Sequence, residues 1–304
     1  MTAAISENTQ AILLLTAPLA SARGKVAPVL SQAEYTQLVE LLRGLQRQPK
    51  DLLARDDALV AACGAIIDER RLARLLARGF QLSQAVDHWH TRAIWVMSRA
   101  DPDYPRRLKV VMGQGAPPVL YGVGVRAALD AGGLAVVGSR AASADAFAYA
   151  LNVGRRAAEA ERTIIAGPTR GVDHAPMFGA LEAGGRALGV MADCLEAAAL
   201  NRANRPALMD GRLVLVSPLD PSVRFDAAHA SQRHQIIDAL ADAMLVVNCA
   251  PDGETWAAAV AQLERRRIYV RPVDEPVLTA LKGKGALPWP EPLDRAGFDA
   301  ALSP

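Results

Sequence analysis

The hydrophobic and polar positions divide the chain into a helical first part and a later part in which apolar runs alternate with helices. Within 31–45, apolar side chains recur every three or four residues and form one stripe, which predicts a helix that begins after Ser31. Similar patterns predict a second helix over 68–78 and a short third helix over 83–89. We therefore expect residues 1–92 to form a small all-helical domain.

After residue 130, short runs of consecutive apolar residues alternate with alanine-rich helical segments. An apolar run without alternation is typical of a strand that helices cover on both faces. Parallel strands need long crossover connections, which the helical segments supply, so the pattern predicts a doubly wound, mainly parallel α/β sheet. The expected strands are 134–138, 163–166, 187–191, 213–217, 244–248 and 268–270.

The segments that flank this sheet have less regular patterns. A short strand is expected over 93–98, and the two prolines within 113–124 predict an extended edge strand there. We place the domain boundary between residues 92 and 93 and assign 93–290 to the α/β domain. The region after residue 282 is rich in proline and glycine, so residues 291–304 are expected to form a C-terminal tail.

Composition fits an ordinary globular protein. The surface as a whole carries too little net charge to attract a nucleic acid. Hydrophobic residues make up 51%, charged residues 22%, and the formal net charge is +2. Binding to a nucleic acid would therefore depend on a local cluster of arginines. The three cysteines are odd in number and far apart, which fits neither a disulfide framework nor a metal site.

The sequence also predicts where the protein is found. It contains no 18-residue apolar run, so no membrane-spanning helix is expected. The N-terminus has no basic stretch before its short apolar run, so we do not expect a signal peptide. We expect a soluble, cytoplasmic protein.

Candidate binding residues follow the predicted strands directly. Gly138, Ser139 and Arg140 come at the exit of one strand, where unpaired backbone N–H groups and an arginine fork suit an anion. The loop after the next strand carries Arg170, and a fourth loop covers 251–256. Arg233 lies at the helix that precedes the strand expected at 244–248. Because the carboxyl ends of parallel strands meet at one edge of the sheet, one ligand could meet all three arginines there.

Each loop also has a purely structural interpretation. Gly138 could simply form a turn, Arg140 could be a solvated surface charge, and Asp173 and Thr255 could cap helices. The five histidines show no metal-ligand spacing, and none lies beside an obvious nucleophile. His174 could act as a general base, but a histidine at a helix start is more often structural. We predict binding without catalysis, and without a cofactor or a metal ion.

An ordered set of short motifs, taken together, resembles the DNA-processing protein family DprA/Smf over roughly residues 93–290. The motifs are Tyr-Pro105, Pro-Val-Leu-Tyr121, Gly-Ser-Arg140, Arg-Gly-Val-Asp173, Ala-Leu-Glu-Ala-Gly-Gly185 and Asp-Gly-Glu-Thr255. The helical first part is similar in placement to the helical domain of that family. The resemblance implies a Rossmann-like domain that binds single-stranded DNA, pairs as a homodimer and assists loading of the RecA recombinase during natural transformation.

The resemblance also implies which residues contact DNA phosphates. They are Gly138, Ser139, Arg140, Gly167, Arg170, Gly171, Asp173, Arg233, His234, Gly253 and Thr255. Three positions depart from the family pattern. Pro168 removes a backbone N–H that could have faced an anion, His234 replaces an asparagine, and Glu254 brings a carboxylate close to the expected phosphate.

These departures keep a second function open. A sensor could hold a nucleotide or another small phosphorylated ligand in the same loops and signal through a partner. Pro168 and Glu254 would suit such a ligand better than they suit a DNA backbone. For DNA, three arginines contact few phosphates, so two copies of the chain would provide a longer basic path. The sequence does not locate the interface of such a dimer.

Overall fold

The computed structural model describes residues 5–19, 28–54, 56–139, 142–168, 172–224 and 226–302. Contacts between residues divide the chain into two compact units. Unit 1 comprises Met1–Val123, Asp193–Leu200 and Ser217–Arg224, and unit 2 comprises Gly124–Ala192, Asn201–Val216 and Phe225–Pro304. The domain limits expected from the sequence, at residues 92 and 290, stay predictions.

Helices and strands are numbered here in chain order. The helices are α1 (Glu7–Thr16), α2 (Gln32–Gly44), α3 (Asp57–Cys63), α4 (Glu69–Leu76), α5 (Gly79–His90), α6 (Arg106–Met112), α7 (Ala144–Glu159), α8 (His174–Glu182), α9 (Leu195–Ala199), α10 (Arg205–Met209), α11 (Ala227–Leu240), α12 (Glu254–Gln262), α13 (Pro276–Gly283) and α14 (Arg295–Leu302). The strands are β1 (Trp95–Ser98), β2 (Val119–Val123), β3 (Leu134–Gly138), β4 (Ile164–Ala166), β5 (Ala187–Val190), β6 (Leu213–Ser217), β7 (Ala243–Asn248), β8 (Arg267–Val270) and β9 (Leu287–Pro288).

Unit 1 contains the helices predicted from the first part of the sequence. Helix α2 begins where predicted, because the Ser31 hydroxyl accepts from the backbone N–H of Glu34 while the Glu34 carboxylate accepts from the backbone N–H of Ser31. Helix α4 is capped by Asp68. The third helix was predicted to start at Ser83, but α5 starts at Gly79. Gly79 is therefore the first residue of this helix.

The two strands of unit 1 pair antiparallel, with Trp95 opposite Gly122 and Ser98 opposite Val119. All five residues of β2 are buried. The predicted extended strand is present as β2, but the expectation that it forms an edge was wrong, because β1 pairs with it and takes the end position in the strand order. Trp89 from α5 packs edge-on against Tyr121 of β2, with ring centroids 5.0 Å apart, which ties the helices of this unit to its strands.

Unit 2 has the predicted parallel sheet, with strands in the order β6-β5-β4-β3-β7-β8-β9. Strands β3, β4, β5 and β6 follow one another in one direction, whereas β7 lies on the other side of β3. The order of the strands therefore reverses between β3 and β7. In a doubly wound sheet, ligands bind at such a reversal, outside the carboxyl ends of the strands.

Close backbone contacts fix the two helices that follow β3 and β4. A Cβ atom at Gly154 of α7 would lie 2.0 Å from the carbonyl oxygen of Pro176, and one at Gly179 of α8 would lie 2.2 Å from that of Leu151. Only glycine permits this approach. Because α7 and α8 start at the carboxyl ends of neighbouring strands, both helices begin at the same edge of the sheet.

The proline-rich C-terminal region is more regular than expected. It adds β9 to the sheet beside β8, and α14 follows within residues expected to form a tail. Trp289 packs edge-on against both Tyr269 and Phe298, at centroid distances of 5.1 and 5.2 Å. These buried aromatic contacts hold the region in place. None of the helices in the described part of the chain has both the length and the apolar character needed to span a bilayer.

Candidate functional site

The site lies where the strand order reverses, at the carboxyl ends of β3 and β7. The pairing of these strands shifts by one residue at Val137/Gly138, so that Gly138 lies opposite Asn248. The Ser139 backbone N–H donates to the Asn248 backbone carbonyl at 3.2 Å and to its side-chain Oδ1 at 3.1 Å. Asn248 was not among the predicted site residues, although a polar residue that ends an apolar strand is a readable signal.

Gly138 is required at this position by the packing around it. A Cβ atom there would lie 2.5 Å from Asn248 Oδ1 and 2.6 Å from Cγ1 of Val172. The Gly138 backbone N–H donates to Asp173 Oδ1 at 3.2 Å. The N–H groups of both Gly138 and Ser139 therefore have partners within the protein, and they are not the free anion donors that the sequence suggested.

Arg233 from α11 is the buried cation of the site, with only 3% of its surface exposed. Its guanidinium lies over Gly167, where a Cβ atom would come within 3.0 Å of Nε. Nη2 is 3.9 Å from Asp173 Oδ2 and 3.2 Å from Nε2 of His234. Because arginine only donates, Nε2 of His234 is the acceptor in that contact, and Nδ1 carries the proton of the neutral ring.

Residues from four loops and helices enclose a cavity of about 360 Å³ in front of Arg233. Its lining consists of Gly138, Ser139, Asp173, Ala230, Arg233, His234, Ala250, Gly253, Glu254 and Thr255. Gly253 is the N-cap of α12 and supplies no side-chain cap. The positive end of the helix dipole of α12 therefore lies at the cavity, beside hydroxyl groups, one arginine and two carboxylates.

The structure brings most of the predicted site residues together. Gly138, Ser139, Asp173, Arg233, His234, Gly253 and Thr255 line the cavity, and Gly167 supports Arg233 from outside the lining. Arg140, Arg170 and Gly171 lie outside the described residues. Neither of the two residues suggested as helix caps provides a side-chain cap. Asp173 occupies the N-cap position of α8, but its carboxylate accepts from the Gly138 N–H and makes no capping hydrogen bond. Thr255 lies inside α12.

A titratable carboxyl group lies next to the cavity. Asp238 is one helical turn from His234 on α11, and both line a small neighbouring void of about 10 Å³. Burial raises the pKa of Asp238 to about 6, although the positive charge of Arg266 opposes the shift. At the start of α8, directly after Asp173, desolvation lowers the pKa of His174. Sequence reasoning missed Asp238, because its pKa depends on burial that a sequence does not report.

The arrangement suits an anion or a polar ligand more than a metal ion. Among the residues that the structure describes, no group of three or more histidine, cysteine, aspartate or glutamate side chains could hold a metal ion. Arg233, the hydroxyl groups of Ser139 and Thr255 and the start of α12 can donate to a phosphate. The carboxylates of Asp173 and Glu254 would oppose a bare phosphate and would accept from hydroxyl or amino groups.

Comparison with known proteins agrees with this fold. No curated protein matches the chain in sequence. DNA processing protein A from Streptococcus pneumoniae is 20% identical, with 99% of both chains covered and a TM-score of 0.70. A structure of DNA processing protein A from Helicobacter pylori, described for its single-stranded DNA binding mode, is 16% identical, covers 64% of this chain and 89% of that one, and has a TM-score of 0.52.

At these identities the solved structures establish the fold, which is Rossmann-like and preceded by a helical region. The family model described as DNA recombination-mediator protein A matches residues 95–285, which is more than half of the chain. This range includes β1 to α13 and every described residue of the cavity lining. The chain therefore belongs to the DNA recombination-mediator protein A family, the DprA/Smf family that the sequence motifs resembled.

Proposed function

We propose that this protein binds single-stranded DNA through phosphate contacts at the cavity between the ends of β3 and β7. The observation that carries the proposal is the buried Arg233, which faces this cavity at the reversal of the strand order. The Helicobacter pylori relative has a single-stranded DNA binding mode of its own. Family membership supports a role in DNA processing, assistance to the recombinase RecA and activity as a dimer.

Phosphate binding in this proposal rests on side chains and on a helix start. A phosphate oxygen would accept from the Arg233 guanidinium, from the hydroxyl groups of Ser139 and Thr255, and from first-turn N–H groups of α12. Arg140 and Arg170, which lie outside the described residues, would add charge according to the sequence motifs. Glu254 would oppose each phosphate by on the order of 1 kcal/mol in a solvated setting.

A second function has one supporting observation. The cavity encloses about 360 Å³ and carries two carboxylates, Asp173 and Glu254, beside its donors. Such a mixed lining suits a nucleotide or another phosphorylated small molecule, whose hydroxyl groups would donate to the carboxylates. In this alternative the protein would sense that ligand and signal through a partner.

Fluorescence anisotropy with a labelled oligo(dT) at several salt concentrations tests the proposal. Each phosphate contact contributes about −0.7 to the slope of log affinity against log salt for single strands. We expect Arg233→Gln to weaken binding and to reduce the slope by about one such contact. Arg233→Lys keeps the positive charge, so it should keep the salt slope while losing affinity through the lost guanidinium fork. Arg156→Ala is the matched control, because Arg156 lies in the last turn of α7, where it pairs with Glu159.

The results separate the two functions. Binding weaker than millimolar at low salt, or affinity without salt dependence, would contradict DNA binding through phosphates. A thermal-shift panel of mononucleotides then tests the alternative, since a ligand at 100 times its Kd raises stability by about 2.7 kcal/mol. Circular dichroism of each variant shows whether a loss of binding reflects a loss of folding.

A further inference from the structure

Two aromatic side chains lie on the exposed face of α8, the helix that starts beside the cavity. His174 is the first residue of α8 and directly follows Asp173, which lines the cavity. Phe178 lies one turn further along, with 52% of its surface exposed. The two rings are nearly parallel, with an interplanar angle of 22° and centroids 6.2 Å apart. The pair therefore presents flat aromatic surface on the first two turns of the helix that starts at the candidate phosphate site.

A third exposed ring lies on the neighbouring helix. Phe147 is in the first part of α7 and is 43% exposed. Helices α7 and α8 both begin at the binding edge of the sheet, and the close contacts at Gly154 and Gly179 hold them together. Among the described residues three phenylalanines are exposed, Phe80, Phe147 and Phe178, and the last two lie on the helices that start beside the cavity.

We propose that His174 and Phe178 form a stacking platform for the bases of a single strand whose phosphates occupy the cavity, with Phe147 extending it. This inference rests on the proposed function and concerns the bases, the part of the strand that the cavity does not contact. Unpaired bases stack on aromatic side chains with little dependence on sequence, because every base has a flat aromatic face. Such a platform suits a protein that binds single strands without reading their sequence.

The platform has an apolar and uncharged character that complements the charged cavity. Desolvation lowers the pKa of His174, which favours the neutral imidazole at neutral pH. The platform therefore adds affinity without adding a counterion-dependent contact. Phosphate contacts determine the salt dependence of binding, whereas stacking changes affinity equally at all salt concentrations.

The test compares variants of Phe178 on two strands of equal length, an oligo(dT) and an abasic strand that keeps the phosphates and lacks the bases. We expect Phe178→Ala to weaken oligo(dT) binding about 5- to 150-fold with no change in salt slope. Phe178→Trp should retain or improve affinity, and Phe178→Leu should behave like alanine. On the abasic strand all variants should bind alike. Phe80→Ala is the matched control, since Phe80 is 73% exposed on α5.

Three results would overturn the inference. Equal binding of oligo(dT) by the wild type and Phe178→Ala would show that Phe178 does not stack on bases, while leaving the proposed function intact. A loss of affinity that persists on the abasic strand would mean that the substitution disturbs the phosphate site. A lower mass of Phe178→Ala by light scattering would assign the ring to contact with a second copy of the chain. If the wild type binds neither strand, the proposed function itself fails.

Discussion

Gly138 links the packing of the sheet to the geometry of the site. The backbone N–H groups of Gly138 and Ser139 donate to Asp173 and Asn248, so one loop joins the ends of three neighbouring elements. A side chain at position 138 would have no room between Asn248 and Val172. The conformation of this loop therefore depends on the absence of a single methyl group.

We expect Gly138→Ala to destabilise the protein by about 1–3 kcal/mol, the usual cost of overpacking a filled site. Asn248 would have to move, so ligand binding should weaken as well. Urea unfolding and oligonucleotide anisotropy measure the two effects. Gly79→Ala is the control, because a Cβ atom at this helical residue would have no neighbouring atom within 4 Å. Wild-type stability of Gly138→Ala would disprove the packing argument.

Asp238 makes stability depend on pH in a definite direction. Burial raises its pKa from 3.8 to about 6 in the folded protein. Below pH 4 the carboxyl is protonated in both states and folding carries no penalty. Between about pH 4 and 6 the unfolded chain loses this proton while the folded protein keeps it, so stability falls as pH rises. Above pH 6 the full penalty remains, up to about 3 kcal/mol from a shift of about two units.

Asparagine has nearly the same shape as aspartate and does not titrate. We therefore expect Asp238→Asn to be more stable than the wild type at pH 8, by up to about 3 kcal/mol, and to differ little from it at pH 4. Urea unfolding of both proteins at the two pH values measures this difference. An equal difference at both pH values would contradict the raised pKa of Asp238 and point to a lost hydrogen bond instead.

At the scale of elements, the sequence predicted the parallel sheet well. Strand β3 matches its predicted limits, because a short run of consecutive apolar residues that ends at a glycine favours a strand covered on both faces. The cap of α2 at Ser31 was equally readable, since its hydrogen bonds are local. The missed elements, β9 and α14, depend on long-range contacts of Trp289 and Phe298, which override the local preference of a proline-rich segment.

The candidate site was predictable in position but not in hydrogen bonding. Residues in the loops after β3 and β7 had to meet at one edge, and Ser139 and Thr255 do line one cavity there, together with Arg233 from α11. The partner of the Ser139 N–H depends on the register shift between β3 and β7, which no local pattern encodes. The roles of these residues in binding stay predictions.

Contacts between elements also hold the start of α7, next to the loop that contains Ser139. Arg271, the first residue after β8, is 4% exposed and pairs with Asp145 in the first turn of α7. Its guanidinium carbon lies 5.1 Å from the centroid of the Tyr149 ring. A strand two positions away in the sheet therefore fixes the beginning of the helix that follows the binding loop.

At the scale of the whole molecule, the charge of the chain limits how strongly one copy can hold DNA. The formal net charge is only +2, so no general positive field attracts a strand. The cavity combines Arg233 with two carboxylates, so in the proposed function each phosphate contact would be weak. Two copies related by a two-fold axis would place two such sites on one strand. Once the first site has bound, the second binds at a high local concentration.

We therefore expect light scattering at tens of micromolar to give a mass of about twice the 32.2 kDa of one chain. Affinity should also rise steeply once an oligonucleotide is long enough to reach both sites, because only then can one strand engage both copies. An anisotropy series of oligo(dT) lengths measures this threshold, and Arg233→Gln should remove it by weakening both sites together. A mass of one chain with and without a long oligonucleotide, combined with affinity that increases smoothly with length, would show that a single copy binds DNA alone.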